Sequence, residues 1–140
     1  MQSVSVYLRD GVYFIVVIHG SGGSEPCIAS GPVSVLPADA SSQALGSAVL
    51  QALGQSSSVP WPTDWKKVTE PLLLAAKVKS WAAFAKRASC ARVDRSASAI
   101  SIRPSLRDKA SFLDLPDKVI PMSAPSAESL GSVLSAALQA

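Results

Sequence analysis

The sequence is poor in the side chains that carry covalent and metal chemistry. Histidine occurs once, at His19, and cysteine twice, at Cys27 and Cys90. A Cys-His pair from His19 and Cys27 has no visible orienting third group or oxyanion donor. A zinc site from these three residues lacks a fourth ligand and the usual close pairs. Two cysteines cannot make a disulfide framework, so both read as free, buried thiols. The ten carboxylates are dispersed, and no expected helix presents two of them three or four residues apart. Asp114 and Asp117 are three apart, but Pro116 lies between them and residues 112–117 read as a loop. No metal-dependent hydrolase kernel is visible, and neither a cofactor nor enzymatic activity is expected. Long apolar runs are also missing. The longest, Val12–Ile18, has seven residues, far short of the twenty or so needed to span a bilayer as a helix. The start, Met1–Val6, lacks the basic and apolar segments of an export signal, which predicts a cytoplasmic protein. Gly20–Gly31 is glycine-rich, but no Gly-Lys-Ser/Thr ending or helical pattern follows it, so it reads as a loop and not as a phosphate cradle.

Charged residues make up only 16% of the chain against 48% apolar, a balance that favours one compact domain over disorder. Val4, Val6 and Leu8 alternate with polar residues up to Asp10-Gly11, after which Val12–Ile18 begins. Asp-Gly between such segments signals a tight hairpin, because Gly tolerates the positive φ of the primed turns. Pro32–Pro37 reads as a short strand, and its bounding prolines favour a sheet edge. Ser41 is a helix N-cap, followed by Leu45, Ala48, Val49, Ala52 and Leu53 on one helical face, with Gly54 as the stop. The same pattern returns 85 residues later: Ser126, then Leu130, Val133, Leu134, Ala137 and Leu138, with Gly131 at the place of Gly46. At that offset Ile100 and Ile102 match Ile15 and Val17, and Ile120 matches Val35. These correspondences predict two β-β-β-α pseudo-repeats, about 4–54 and 89–139, related by an approximate two-fold axis. A helical, Trp-rich segment, 55–88, joins them. A glycine inside each helix costs about 1 kcal/mol relative to alanine, which points to a close approach at both. The predicted fold class is α+β: a single domain, 1–140, with a largely antiparallel sheet of about six strands and helices packed on it.

The unrepeated middle holds all three tryptophans and most of the positive charge. Residues 66–109 carry eleven Lys or Arg against three acids, whereas residues 1–63 carry one Arg against three acids. Pro60–Trp65 reads as an ordered loop. Thr69 reads as the cap of a short helix with Pro71 in its first turn and Leu72–Ala76 turned inward. Ser80 caps another, with Trp81, Phe84, Ala85 and Ala88 on one face. Lys66, Lys67, Lys77, Lys79, Lys86, Arg87, Arg92 and Arg95 could line one groove for nucleic acid, with Trp61 or Trp65 stacking on a base. No helix-turn-helix, zinc or RNA-binding signature accompanies them.

Val59–Trp65, Pro71-Leu72-Leu73, Val78–Phe84 and Ala88-Ser89-Cys90, together with Leu45-Gly46 and Leu130-Gly131, resemble the immunity proteins of bacterial contact-dependent growth inhibition systems, the CdiI type. The family favours glycine where this chain has Lys77, which puts a left-handed helix end there in question. The resemblance implies a cytoplasmic protein that catalyses nothing. It would bind and neutralise the C-terminal toxin domain, commonly a nuclease, of a cognate secreted effector, by occluding its active site or substrate surface. It would bind neither membrane nor nucleic acid directly. The candidate toxin-binding residues are Trp61, Asp64, Lys66, Lys67, Glu70, Lys77, Lys79, Lys86 and Arg87. Inhibitors of basic nucleases are expected to be acidic. The basic band therefore predicts a toxin that offers it an acidic or apolar surface, or docking through the acidic first half or the Val33–Leu36 strand.

Overall fold

The computed structural model describes residues 1–20, 28, 29, 32–60, 62–97, 99–108, 111–115 and 118–139. Along the chain these form β1 (Gln2–Arg9), β2 (Val12–Ile18), β3 (Val33–Pro37), α1 (Ser42–Leu53), α2 (Trp65–Ala76), α3 (Trp81–Ala85), β4 (Ala88–Ser96), β5 (Ala99–Asp108), β6 (Ser111–Asp114), β7 (Ile120–Ser123) and α4 (Ala127–Gln139). All strand pairings are antiparallel, in the order β3-β2-β1-β4-β5-β6. The seventh strand, β7, also pairs with β5, covering Ala99–Ile102 while β6 covers Ser105–Asp108. The sheet is therefore six strands wide with its last position shared, and β3 occupies the opposite edge as its prolines predicted. The Asp10-Gly11 turn has φ values of 49° and 76°, the pair of left-handed residues that a primed hairpin turn requires.

Period-two alternation gives the sheet two different faces. Val4, Val6, Ile15, Val17, Ala91, Val93 and Ile102 point to one face, buried under Leu45, Val49 and Leu53 of α1 and Leu130, Leu134 and Leu138 of α4. Tyr7, Phe14, Val16 and Cys90 point to the other, where Leu72 of α2 and Phe84 of α3 cover them. Ser41 accepts the Ala44 N–H at 3.1 Å and Ser126 the Ser129 N–H at 3.2 Å, so both predicted caps are formed. α1 and α4 meet through their glycines. A Cβ on Gly46 would lie 1.7 Å from the Ala127 carbonyl oxygen, and one on Gly131 would lie 1.8 Å from that of Ser42.

These two contacts are reciprocal at a spacing of 85 residues, and β1 meets β4 with Val6 opposite Ala91, also 85 apart. Beyond that seam the spacing changes. Val6 pairs with Ile15, whereas Ala91 pairs with Pro104. Pro104, and not Ile100, therefore stands where Ile15 does, because the β4–β5 arms run two residues further before turning. Val35 is likewise not the partner of Ile120. Pairing with Phe14 turns Val35 to the second face, 49% exposed, while Leu36 and Ile120 pack against the α1–α4 core. Residues 112–114, read from sequence as loop, belong to β6; Pro116 and Asp117 lie outside the described residues.

Candidate functional site

The middle segment is built differently from its sequence reading. The Asp64 carboxylate accepts the Lys66 N–H at 3.0 Å, so α2 starts at Trp65 and not after Thr69. Thr69 instead donates its hydroxyl to the Lys66 carbonyl at 3.3 Å. Pro71 consequently lies inside the helix, on its exposed side. It removes one backbone bond toward Lys67, and the burial of Val68 and Leu72 on the opposite side offsets that loss. α2 ends in a Schellman motif: Lys77 N–H donates to the Leu74 carbonyl at 3.2 Å and Val78 N–H to that of Leu73 at 3.1 Å. Lys77 holds the left-handed conformation, φ 59° and ψ 40°, so this helix end forms on a residue that carries a Cβ. α3 starts at Ser80, whose hydroxyl accepts the Ala83 N–H at 3.2 Å.

Aromatic rings fix α3 to the sheet. Trp81 stacks on Phe84 with centroids 5.6 Å apart and meets Tyr7 and Phe112 edge-on at 5.9 and 6.0 Å. Phe84 meets Tyr7 and Phe14 edge-on. Burial, and then the neighbouring Cys90 thiol, push the Tyr7 hydroxyl far above the usual phenol range, so this ring is a neutral structural element.

Between α2 and α3 lies a cleft of about 540 Å³, lined by Lys66, Thr69, Glu70, Leu73, Leu74, Val78, Lys79, Ser80 and Trp81. A smaller hollow of about 230 Å³ on the inner flank of α2 shares Thr69 and Trp81 with it and adds Tyr7, Ala29, Trp65, Val68 and Leu72. Leu74 is 68% exposed and Trp65 48%. The expectation that Leu72–Ala76 all turn inward therefore fails at Leu74, because a helix face wide enough to bury Val68 and Leu72 cannot also bury a residue two positions on.

Of the residues singled out from sequence, the structure gathers Lys66, Glu70 and Lys79 around the cleft. Lys67 and Lys77 are exposed on α2 and at its end, and Asp64 serves as cap. Lys86 and Arg87 lie past α3, where Arg87 pairs with Asp10 at 3.5 Å beside the first hairpin. Trp61 is outside the described residues. Sequence reasoning missed Leu73, Leu74 and Val78 as surface; the signal was the continuous run Leu72-Leu73-Leu74 on a helix with only one side to bury. The eight cations proposed as one groove are not one. Arg92 and Arg95 point to opposite sheet faces, where Arg92 bonds Asp94 and Arg95 bonds Gln2. His19 is buried, and its Nδ1 accepts the Ser57 N–H at 3.2 Å; Cys27 lies outside the described residues. Among the described residues no three potential metal ligands cluster, and no helix is long and apolar enough to cross a membrane.

The fold has close structural relatives. A protein of unknown function from Neisseria meningitidis superposes with a TM-score of 0.80 at 21% identity, covering 99% of this chain and 93% of that one. A CdiA-CT/CdiI toxin and immunity complex from Yersinia pseudotuberculosis contains a chain that superposes with a TM-score of 0.79 at 17% identity, covering 99% and 95%. No curated protein matches the sequence. The family model for CdiI, the CDI immunity protein, matches residues 2–140, and the chain belongs to that family.

Proposed function

We propose that this protein neutralises the C-terminal toxin domain of a cognate CdiA-type effector by covering it, without catalysis of its own. The toxin is a nuclease, and the complex forms in the cytoplasm of the cell that makes the immunity protein. Docking uses the α2–α3 side of the sheet. The observation that carries this reading is the cleft between α2 and α3, where largely exposed Leu74 stands with Leu73 and Val78 among Lys66 and Lys79, with half-exposed Trp65 in the adjoining hollow. Apolar side chains ringed by cations, with Glu70 as the one acid in the cleft, suit a partner surface that is apolar at its centre and acidic at its margin. Neutralisation follows from occlusion: a partner seated there loses access to its nucleic-acid substrate.

Co-expression with the effector's C-terminal domain should rescue growth, and the purified pair should elute as one complex lacking nuclease activity. Reversing Lys66, Lys67, Lys77 and Lys79 to glutamate together should weaken binding at least about thirtyfold, the loss expected when an interface anchor of about 2 kcal/mol is removed. Full rescue by a variant so altered would move the docking surface elsewhere.

A further inference from the structure

The end of the second sheet face that α2 and α3 leave open carries a charged cluster built around a buried acid. Asp94 on β4 is 4% exposed. Its Oδ1 accepts hydrogen bonds from the Ser3 hydroxyl and from Arg92 Nε, the latter at 2.9 Å. Its Oδ2 is buried and accepts no hydrogen bond among the described residues; it faces Arg103 Nε at 3.4 Å. Arg103 stands opposite Arg92 across the β4–β5 ladder. The two arginines differ in exposure: the Arg92 side chain is 21% accessible, that of Arg103 38%.

Asp94 and Arg103 line a cleft of about 380 Å³, whose walls come from the start of β1 and from β4, β5 and β7, with no helix contributing. Ser96, Ser101 and Ser123 supply its other polar groups, and Met1 and Met122 its apolar wall. Two alanines beside it, Ala97 and Ala124, hold left-handed φ values of 54° and 41°.

We propose that this cleft receives a carboxylate side chain of the toxin domain, held by the outer edge of the Arg103 guanidinium. Asp94 acts as a positioning residue: its buried charge holds the inner Nε side of Arg103, which leaves the two terminal nitrogens directed outward. A guanidinium fixed in this way presents parallel donors that match a carboxylate's two oxygens, and lysine cannot reproduce that geometry. With two arginines against one aspartate the cluster keeps a surplus positive charge, so the complementary group is an anion. The serine hydroxyls offer further donors, and exposed Met1 makes an adaptable wall for the anion's carbon stem. Because Ser5, Arg92 and Arg103 lie on the same sheet face as Tyr7, Cys90 and Phe112, the cleft extends the α2–α3 docking side. This inference therefore rests on the toxin-binding reading above.

The test is the affinity of the purified chain for its cognate toxin domain, measured by calorimetry on wild type, Arg103→Ala, Arg103→Lys and Asp94→Asn, with thermal melts of each free variant. Arg103→Ala should weaken binding about thirtyfold or more, as for an interface anchor, while its melt falls only by the loss of the Asp94 partner and the variant stays folded at the temperature of the titration. Arg103→Lys should recover little of it. Individual replacement of the toxin's surface acids should identify one whose loss is no longer additive with Arg103→Ala. Asp94→Asn should weaken binding in the same direction, and its melt separates misplacement of Arg103 from unfolding. Arg103→Ala binding within about twofold of wild type overturns the inference, as does full recovery by lysine. An oligonucleotide that binds the free chain as tightly as the toxin, and does so through Arg103, overturns it by assigning the cleft to phosphate. A wild-type chain that fails to bind its toxin refutes the broader reading instead.

Discussion

Replacing either inter-helix glycine by alanine sets two effects of opposite sign against each other. Helix propensity alone makes Gly46→Ala or Gly131→Ala stabilising by about 1 kcal/mol. The added methyl, however, would lie 1.7 Å from the Ala127 carbonyl oxygen in the first case and 1.8 Å from that of Ser42 in the second. An ordinary carbon–oxygen contact is about 3.3 Å, so the helices would have to part by roughly 1.5 Å. Both obstructing atoms are backbone, and no rotamer change relieves them. Parting α1 from α4 loosens Leu45, Val49, Leu130 and Leu134, all essentially inaccessible to solvent. Overpacking of this kind costs about 3 kcal/mol or more, which leaves a net loss of about 2–3 kcal/mol after the propensity gain. Urea unfolding should show this loss for each variant, with a fall in Tm of roughly 6–12 °C. The double variant should lose clearly less than the sum, since the first methyl already opens the gap the second needs. Single variants as stable as wild type, or more so, would refute the close approach as the reason for glycine.

Lys77→Gly should stabilise the protein by about 1 kcal/mol, because glycine adopts the left-handed end of α2 without a Cβ penalty; a chemical melt checks it. Tyr7 gives a pH dependence of fixed sign. Its folded-state value lies above the ordinary 10.0, so its contribution is complete below pH 10 and declines as pH rises through the alkaline range. The decline is about 1.4 kcal/mol per pH unit, and Tyr7→Phe should remove that part of the slope in denaturation measured between pH 9 and 11.

Where local chemistry and packing agreed, the sequence was readable. Asp10-Gly11 could only be a primed turn, the period of Leu45–Leu53 and Leu130–Leu138 could only be helical, and prolines around Val33–Leu36 put that strand at an edge. The misreadings arose where a long-range pairing overruled a local cue. Thr69 and Pro71 read locally as a cap and a first-turn residue, yet Asp64 caps the helix seven residues before the proline and the sheet buries Val68 and Leu72. The 85-residue offset matches Ile100 and Ile102 to Ile15 and Val17, yet the longer arms of the second hairpin bring Pro104 to the place of Ile15. The candidate site was half legible. Lysines 66 and 79 announced themselves by charge, while the Asp94–Arg103 pair lay on alternate residues of neighbouring strands, and only the register brings such residues together.

The centre of the sheet is a seam between residues translated far apart, with Val6 beside Ala91. During synthesis β1 leaves the ribosome with β2 on one edge and nothing on the other until some eighty further residues have been added. For that interval a nascent chain carries an open strand of alternating valine and serine, the kind of edge that invites pairing with any neighbour. The rate at which translation proceeds from the first helix to β4 therefore sets how long each new molecule is exposed to self-association before it can protect anything.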